Sequence, residues 1–251
     1  MKIPTPAPTT DRTPYAIEGP ARILIVSDVH VPYHDPDAIR AAIAFGRDRG
    51  PISHVLVNGD LLDAYHLSRF EKDPTARTFA QELKDAVQIV KIFARVFASA
   101  QIVIKLGNHE KRFETYLQGH APALADLPGF TLEEILQKEL PDVDVVSEWR
   151  NITAGDLLIV HGHEVGRGSG GTNPARWLLQ RTGVSTICGH FHRTDSHQIR
   201  NGLGEKIHGH TIGALCQLSP DYLPRNQWNH GAAFVELTAE GEYLVENKIF
   251  Q

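Results

Sequence analysis

Seven polar side chains in this sequence are of the types that bind first-row transition metals. Each lies at or just beyond the end of a short apolar run, and together they supply two aspartates, four histidines and one asparagine. They are Asp28, His30, Asp60, Asn108, His161, His190 and His192. Imidazole and carboxylate suit zinc, manganese or iron, and the lack of cysteine in the set argues against a structural zinc site. The sequence therefore predicts a metal centre of nitrogen and oxygen donors.

These side chains are too numerous for one ion. Two ions about 3.5–4 Å apart need at least one bridging carboxylate, and such pairs bind phosphoryl oxygens during in-line displacement. They also lower the pKa of a bridging water, so that a hydroxide is available at neutral pH to attack phosphorus. The residues alone thus predict a two-metal hydrolase of phosphate esters that forms no phosphoenzyme.

Five short apolar runs carry these side chains at their carboxyl ends. The runs and the residues that follow them read "ARILIVSDVH", "ISHVLVNGD", "AQIVIKLGNHE", "DLLIVHGHE" and "VSTICGHFH". Continuous β-branched runs that stop at glycine, aspartate or histidine are typical of fully buried strands in an α/β sheet. Ligands bind at the carboxyl ends of such strands, so we expect the polar residues to share one edge.

Helical spacing separates several of these runs. Apolar residues three and four apart over 74–98 predict a long amphipathic helix that begins just after an Asp-Pro pair. Shorter helices are predicted over 109–118, 131–140 and 173–183. In the last of these, Asn173 is the expected N-cap and Gly183 the expected end. From about residue 205 the pattern alternates, with "AEGE" as a hairpin turn, and predicts a second, more antiparallel sheet.

Length and composition predict a single α/β domain. The chain has 251 residues, a formal net charge of −5 and 41% hydrophobic residues, which gives no general attraction for nucleic acid or anionic membranes. We assign residues 1–20 to a Pro-rich tail and residues 21–251 to the domain. The N-terminus lacks the apolar stretch of a signal peptide, and no run could span a bilayer, so we expect a cytoplasmic protein. The two cysteines suggest no disulfide framework.

The blocks "SDVH", "NGDLLD", "GNHE", "VHGH" and "GHFH", in this order, resemble the five signature blocks of the calcineurin-like metallophosphoesterase superfamily. The resemblance covers roughly residues 22–195. It implies a four-layer α/β/β/α sandwich of the metallo-dependent phosphatase type. It also implies a metal-dependent phosphoric ester hydrolase with two divalent ions among Mn, Fe, Zn, Ni and Co, of which we favour Mn.

The same resemblance implies two ligand sets and two further roles. One ion would be held by Asp28, His30, Asp60 and His192, and the other by Asp60, Asn108, His161 and His190. Asp60 would bridge the two ions. His109 would stabilise the phosphate or protonate the leaving group, and Asp63 would orient His109.

Three more histidines compete with this assignment. His163 is the alternative to His161. We prefer His161 because it directly follows the apolar run, much as His190 follows Cys188 and Gly189, whereas His163 lies two residues further into the loop. His208 and His210 form a second "HGH" in a predicted hairpin strand. We expect these two to be surface or rim groups.

The substrate is constrained only weakly. Protein Ser/Thr phosphatases of this superfamily follow the second aspartate with "RG" and precede "GNHE" with arginine, whereas this chain has Ala64 and Lys105 near those places. A phosphoprotein substrate is therefore disfavoured. The candidate substrate contacts are Asn108, His109, His66, Arg69, Lys111, Arg112 and Arg167. The glycine-rich loop 166–171 is either a flap over the metals or a linker.

The sequence is compatible with more than one function. A phosphodiester is the favoured substrate, and a phosphomonoesterase or a nuclease acting on short nucleic acid is the alternative. A non-catalytic scaffold, as in the retromer subunit of this fold, is disfavoured because every ligand position is filled. The expected partner is a phosphate ester and not a membrane, and the oligomeric state is left open.

Overall fold

Strands and helices alternate along the chain in this computed structural model, which describes residues 11–125, 127–166, 168 and 171–251. The strands are β1 (Tyr15–Ile17), β2 (Ala21–Val26), β3 (His54–Asn58), β4 (Gln101–Lys105), β5 (Val143–Val146), β6 (Ile152–Ala154), β7 (Leu157–Val160), β8 (Thr186–Cys188), β9 (Asp195–Arg200), β10 (Lys206–Thr211), β11 (Gly231–Leu237) and β12 (Tyr243–Ile249). The helices are α1 (Pro36–Asp48), α2 (Phe79–Val96), α3 (Lys111–His120), α4 (Pro122–Ala125), α5 (Leu132–Glu139) and α6 (Pro174–Thr182).

The strands form two six-stranded sheets. The first has the order β12-β11-β2-β3-β4-β5, in which β2 to β5 run parallel and β11 and β12 are antiparallel additions at one edge. The second has the order β1-β6-β7-β8-β10-β9, with β7, β8 and β10 parallel. The five predicted runs are all strands, but they are divided between the sheets: β2, β3 and β4 in the first, β7 and β8 in the second.

The sheets pack face to face and helices cover their outer faces. Along β2, Ile23 and Ile25 belong to the apolar cluster between the sheets, whereas Leu24 and Val26 belong to the cluster beneath α1, α2 and α5. Helix α6 packs on the outer face of the second sheet through Leu178. This is the four-layer α/β/β/α sandwich that was predicted, and it explains why the strands are apolar on both faces.

The C-terminal segment does not form a separate sheet, which corrects the prediction for residues beyond 205. Strand β10 joins β8 in the second sheet, while the hairpin β11–β12, with its turn at "AEGE", extends the first sheet beside β2. Alternation in the sequence indicates strands, but it does not say which partner each strand takes. Within the predicted N-terminal tail, β1 pairs with β6, so residues 15–17 are an edge strand; residues 1–10 lie outside the described part.

Helix boundaries follow the capping groups. Helix α2 begins at Phe79, later than the Asp-Pro pair suggested, because Thr78 and Gln81 form a reciprocal capping box. Asn173 occupies the N-cap position of α6 without a side-chain hydrogen bond; Asp195 instead accepts from the Ala175 N–H at 3.1 Å. Helix α1, which the sequence analysis missed, starts at an Asp-Pro and is capped by the Asp35 carboxylate. Among the described helices none is both long and apolar enough to cross a bilayer.

Candidate metal centre

The predicted metal-binding side chains lie where the carboxyl ends of the two sheets meet. Asp28 and His30 follow β2, Asp60 follows β3, and Asn108 follows β4. From the second sheet, His161 follows β7, and His190 and His192 follow β8. The two sheets therefore bring five separate segments of the chain to one place, as the edge argument requires.

Left-handed backbone conformations mark this place. Of the described residues other than glycine, six have positive φ, and five of these six are predicted metal ligands. They are Asp28 (φ 56°), His30 (47°), Asp60 (52°), His190 (68°) and His192 (54°). Such a conformation costs energy for a residue with a Cβ, on the order of 1 kcal/mol each, and persists only where the surroundings impose it. The backbone is thus strained where the donor atoms converge.

Asp60 lies at the centre of the cluster. Its Oδ2 is 3.2 Å from His161 Nε2 and 3.7 Å from His30 Nε2. The donor atoms of Asp60, His161 and His190 lie within 4.8 Å of one another, and so do those of His30, Asp60 and His109. Asp60 is therefore shared by donor groups on its two sides, which is what a bridging carboxylate requires.

A second carboxylate serves one side only. Asp28 Oδ1 is 3.1 Å from His192 Nε2 and 3.8 Å from His30 Nε2. Burial opposes ionisation of Asp28, but His192 and His30 hold its pKa well below the usual value. Its other oxygen accepts the His190 N–H at 2.9 Å, which fixes the carboxylate against the loop after β8.

Unsatisfied polar atoms provide a test of whether the site fits metal ions. Asp28 Oδ1, Asn108 Oδ1 and His161 Nε2 are buried and have no hydrogen-bond partner among the described residues. Buried polar atoms in folded proteins nearly always have a partner, because an unpaired one costs on the order of 1–3 kcal/mol. All three atoms belong to predicted ligands, and two of them, Asp28 Oδ1 and His161 Nε2, lie 3.1 and 3.2 Å from another donor atom of the cluster, so the donor set fits divalent cations.

The tautomer of His161 also fits metal binding. Its Nδ1 lies 2.9 Å from the Asn58 carbonyl oxygen, which can only accept, so Nδ1 carries the proton and Nε2 offers its lone pair. Burial lowers the pKa of His161, but the Asp60 carboxylate outweighs burial and raises this pKa to about 10. The anionic centre therefore attracts positive charge to Nε2, where a proton and a metal ion compete.

Two glutamates that were not predicted from the sequence hold the loops of the site, Glu110 fully buried and Glu164 largely so. Glu110, the acidic residue of the "GNHE" block, accepts the N–H groups of Asp60, Leu62 and Gly107 at 2.7–3.0 Å. It thereby ties the loop after β3 to the loop after β4. The sequence signal that could have identified Glu110 was its position at the end of the "GNHE" block. Gly107 is required there, since a Cβ would lie 2.3 Å from Asp60 Oδ1.

Glu164 holds the loop after β7. Its oxygens accept the N–H groups of His161 at 2.9 Å and of Gly162 at 2.7 Å. The fully buried ammonium of Lys105 lies 3.0 Å from Glu164 and also donates to two backbone carbonyls, those of Glu148 and Arg150. Burial raises the pKa of Glu164, but Lys105 together with His163 and His161 more than offsets this and lowers the pKa to about 2. Lys105 is thus turned inward and does not face a substrate.

His109 and Asp63 lie together, as predicted, but the contact differs in detail. His109 Nδ1 is 2.9 Å from the Asp63 carbonyl oxygen and 3.5 Å from its carboxylate. The Asp63 carboxylate also lies 3.3 Å from His30 Nδ1. Burial raises the pKa of Asp63, but hydrogen bonds from His109 and His30 lower it well below its usual value. Arg112 donates to the Asp63 carbonyl and, at 3.1 Å, to His109 Nε2.

The competing histidines lie outside these donor groups. His163, in a single 3₁₀ turn, lies 3.3 Å from Glu164, and its ring centroid is 6.4 Å from that of His190. His208 and His210 lie on β10 with parallel rings, and His210 Nδ1 is 2.9 Å from Ser196 Oγ. One unexpected neighbour is Cys216, whose Sγ lies 3.7 Å from His192 Nδ1.

Only some of the predicted substrate contacts line the same cavity. Asn108, Arg69, Lys111 and Arg112 line one cavity of about 350 Å³ beside the cluster. Lys111 is engaged elsewhere, with its ammonium 2.5 Å from Glu148 and over the Trp149 ring. His66, in the turn Tyr65–Leu67, does not line this cavity. Arg167 and part of the glycine-rich loop lie outside the described residues.

This chain is similar to several known proteins. Residues 21–194 match the family model described as calcineurin-like phosphoesterase. The gene 54 protein of Mycobacterium phage L5 is 30% identical over 234 residues, covering 89% of this chain and 91% of the phage protein. The gene 54 protein of Mycobacterium phage D29 is 29% identical over the same shares of both chains.

Among solved structures, a single-residue mutant of Vps29 from Entamoeba histolytica is similar, with a TM-score of 0.44 and 15% identity over 92% of this chain and 99% of that one. The family match spans more than half of the chain and includes all seven predicted ligands. The chain therefore belongs to the calcineurin-like phosphoesterase family, whose general chemistry is metal-dependent hydrolysis of phosphate esters.

Proposed function

We propose that this protein is a dinuclear metal-dependent phosphoesterase that prefers phosphodiesters. The observation that carries the proposal is the convergence of donor atoms on Asp60, together with buried, unpartnered oxygen and nitrogen atoms on Asp28, Asn108 and His161. A scaffold would have no need for strained backbone at five ligand positions, because strain of that kind is retained where function requires it.

The proposal assigns each ligand to one of two ions. Asp28, His30, Asp60 and His192 would hold the first ion, and Asp60, Asn108, His161 and His190 would hold the second. When bound, divalent ions at these positions polarise the phosphate oxygens and lower the pKa of a water molecule. The protein contributes the dry, rigid frame, with the Asp28 and Asp60 carboxylates fixed by backbone N–H donors from His190 and His109.

His109 supplies the proton chemistry in this proposal. Its Nδ1–H donates to the Asp63 carbonyl, which fixes the ring and leaves Nε2 directed toward Asp60 Oδ2, 3.8 Å away. Hydrolysis transfers a hydroxyl group to phosphorus, and the departing ester oxygen takes up a proton. Because Nε2 of His109 accepts from Arg112, it would first take up the proton that the attacking water releases and would then pass it to the ester oxygen. To Arg112 we assign the charge developing on phosphate.

The cation content near the centre favours a diester over a monoester. A phosphomonoester carries one more negative charge, and the arginines that bind it in protein phosphatases have no counterpart at Ala64 or Lys105. Lys105 is fully buried and paired with Glu164, so its charge is already used. Arg112 is the guanidinium that contacts His109, and a monoanionic diester matches the charge of this one contact better than a dianionic monoester does. Manganese is our preferred metal for the assay.

The test compares two chromogenic substrates with manganese added. We expect hydrolysis of bis-p-nitrophenyl phosphate with a higher kcat/KM than p-nitrophenyl phosphate. Asp60→Asn should reduce both rates by roughly a hundredfold or more, since it weakens both ion sites. The matched control is Asp37→Asn, an exposed carboxylate on α1 that should leave both rates unchanged. Absence of turnover in a protein shown to contain two bound ions would identify a scaffold.

A further inference from the structure

A second cavity opens beside the centre on the side of His30 and His192. It has a volume of about 330 Å³, and Asp63 and Cys216 complete the wall that it shares with the metal cluster. The volume is within the range of small-ligand sites, about 300–1,000 Å³. A group attached to a phosphate at the centre therefore has a place to lie.

Aromatic side chains line the outer part of this cavity. Tyr33, Tyr65, Tyr222 and Trp228 all contribute to it. The Trp228 ring lies against His192, with 4.1 Å between the ring centroids, whereas Tyr222 is 80% exposed. Because the Tyr222 side chain is so exposed, packing within the protein stabilises it little. The face of its ring is available to stack on a flat ligand.

The charge of this cavity differs from that of its neighbour. Its described lining contains the carboxylates of Asp73 and Asp221 and no lysine or arginine. The cavity on the Asn108 side is instead lined by Arg69 and Arg112. A second phosphate is therefore repelled from the aromatic cavity, while hydrogen-bond donors on an uncharged group are favoured there.

We propose that the aromatic cavity binds the nucleoside portion of the phosphodiester, with the base stacked on Tyr222 and Trp228. A nucleobase is flat, uncharged and carries N–H donors that suit the acidic rim and the Gln217 amide, which also lines the cavity. This inference rests on the proposed function and narrows the substrate class to nucleotide diesters. The basic cavity beside Asn108 then faces the opposite ester group.

The experiment uses two diesters that differ only in the base. Adenosine 5′-(methyl phosphate) and methyl riboside 5′-(methyl phosphate) are incubated with the manganese-loaded full-length protein, and products are quantified by mass spectrometry. Stacking of one base corresponds to roughly a tenfold or larger gain, so kcat/KM should be at least that much higher for the adenosine ester. In Tyr222→Ala the ratio of the two constants should fall towards one. Tyr116→Ala, an exposed tyrosine on α3, is the matched control and should keep the ratio.

The outcomes separate this inference from the proposed function. Equal kcat/KM for the two diesters in the wild type, or an unchanged ratio in Tyr222→Ala, overturns the nucleoside site while the phosphodiesterase stands. If neither diester nor bis-p-nitrophenyl phosphate is hydrolysed, the proposed function itself fails. Because Tyr222 is largely exposed, its replacement leaves the fold intact, and a melting curve verifies this.

Discussion

At the scale of single residues, the site depends on which nitrogen atoms are free to bind a cation. His161 presents its Nε2 to Asp60 Oδ2 at 3.2 Å, whereas Nδ1 of His163, two residues later, lies 3.3 Å from the Glu164 carboxylate. The sequence favoured His161 through its position directly after the apolar run. The "HGH" triplet itself could not distinguish the two histidines, because the directions of their side chains depend on the backbone at Gly162 between them. Gly162 has a φ of 135°, which few residues other than glycine adopt.

Metal analysis can show which of the two histidines, His161 or His163, binds an ion. We expect manganese-loaded wild type, desalted without chelator, to retain about two ions per chain. His161→Asn should retain about one, because it removes a ligand of one ion only, and His163→Asn should retain two. Inductively coupled plasma mass spectrometry gives the stoichiometry. Loss of an ion in His163→Asn with retention in His161→Asn would reverse the assignment.

At the scale of elements, the loops after the strands are held by buried charges from distant parts of the chain. Lys105 at the end of β4 pairs with Glu164 beyond β7, and so connects the two sheets beneath the site. In the sequence, Lys105 stands near the place of a phosphate-binding arginine, and nothing in its surroundings indicates a pairing with Glu164. Such a contact is decided by the packing of one sheet on the other, and spacing along the chain does not encode it.

Removal of the Lys105 ammonium should be costly. In Lys105→Met the Glu164 carboxylate is left buried without its partner, and we expect a loss of about 3–5 kcal/mol in the free energy of unfolding. The double variant Lys105→Met with Glu164→Gln should recover part of that loss, since no unpaired charge remains. Urea denaturation measures both. Lys91→Met, at an exposed position on α2, is the control, and a similar small change in both lysine variants would contradict the structural role.

Helix α2 contributes a pH-dependent contact to the loop after β3. Glu82 is buried and accepts the Ala64 N–H, and burial raises the pKa of this carboxyl to about 8. Between its usual pKa, near 4.5, and about 8 the folded state keeps a proton that the unfolded state releases, so the stability contributed by Glu82 falls as pH rises.

The corresponding variant is Glu82→Gln, which keeps an oxygen acceptor for Ala64 and cannot ionise. The difference in free energy of unfolding between Glu82→Gln and wild type should shift in favour of the variant by roughly 2–4 kcal/mol as the pH rises from 5 to 8.5. Denaturant unfolding across this range checks the sign and the size. The exposed Glu240→Gln provides the control. Parallel pH profiles for wild type and Glu82→Gln would show that Glu82 ionises normally.

At the scale of the whole molecule, the sequence predicted the layers better than the connections. Runs such as "ILIV" and "LLIV" indicate buried strands whose carboxyl ends share one edge, whereas the four-layer sandwich was expected from the family resemblance of the signature blocks. The division of the runs between two sheets was missed, because each run is equally apolar whichever sheet contains it. Likewise, β10 and β11 go to different sheets although they are neighbours among the strands along the chain.

The cavities belong to this scale as well. The residues that line the aromatic cavity come from segments near 30, 65, 73, 192 and 216–228, and no local pattern joins them. The basic residues of the other cavity were predicted from their charge alone. One of them, Lys111, is paired with Glu148. Substrate contacts are thus the part of the site that the sequence predicts least, since they depend on how loops from both sheets meet.

The most direct measurement is an anomalous difference map from crystals of the manganese-loaded protein. We predict two peaks about 3.5–4 Å apart, one on the side of His30 and His192 and one on the side of His161 and His190, with the Asp60 carboxylate bound to both. A single peak, or two peaks of which only one contacts Asp60, would contradict the dinuclear centre on which the account is built.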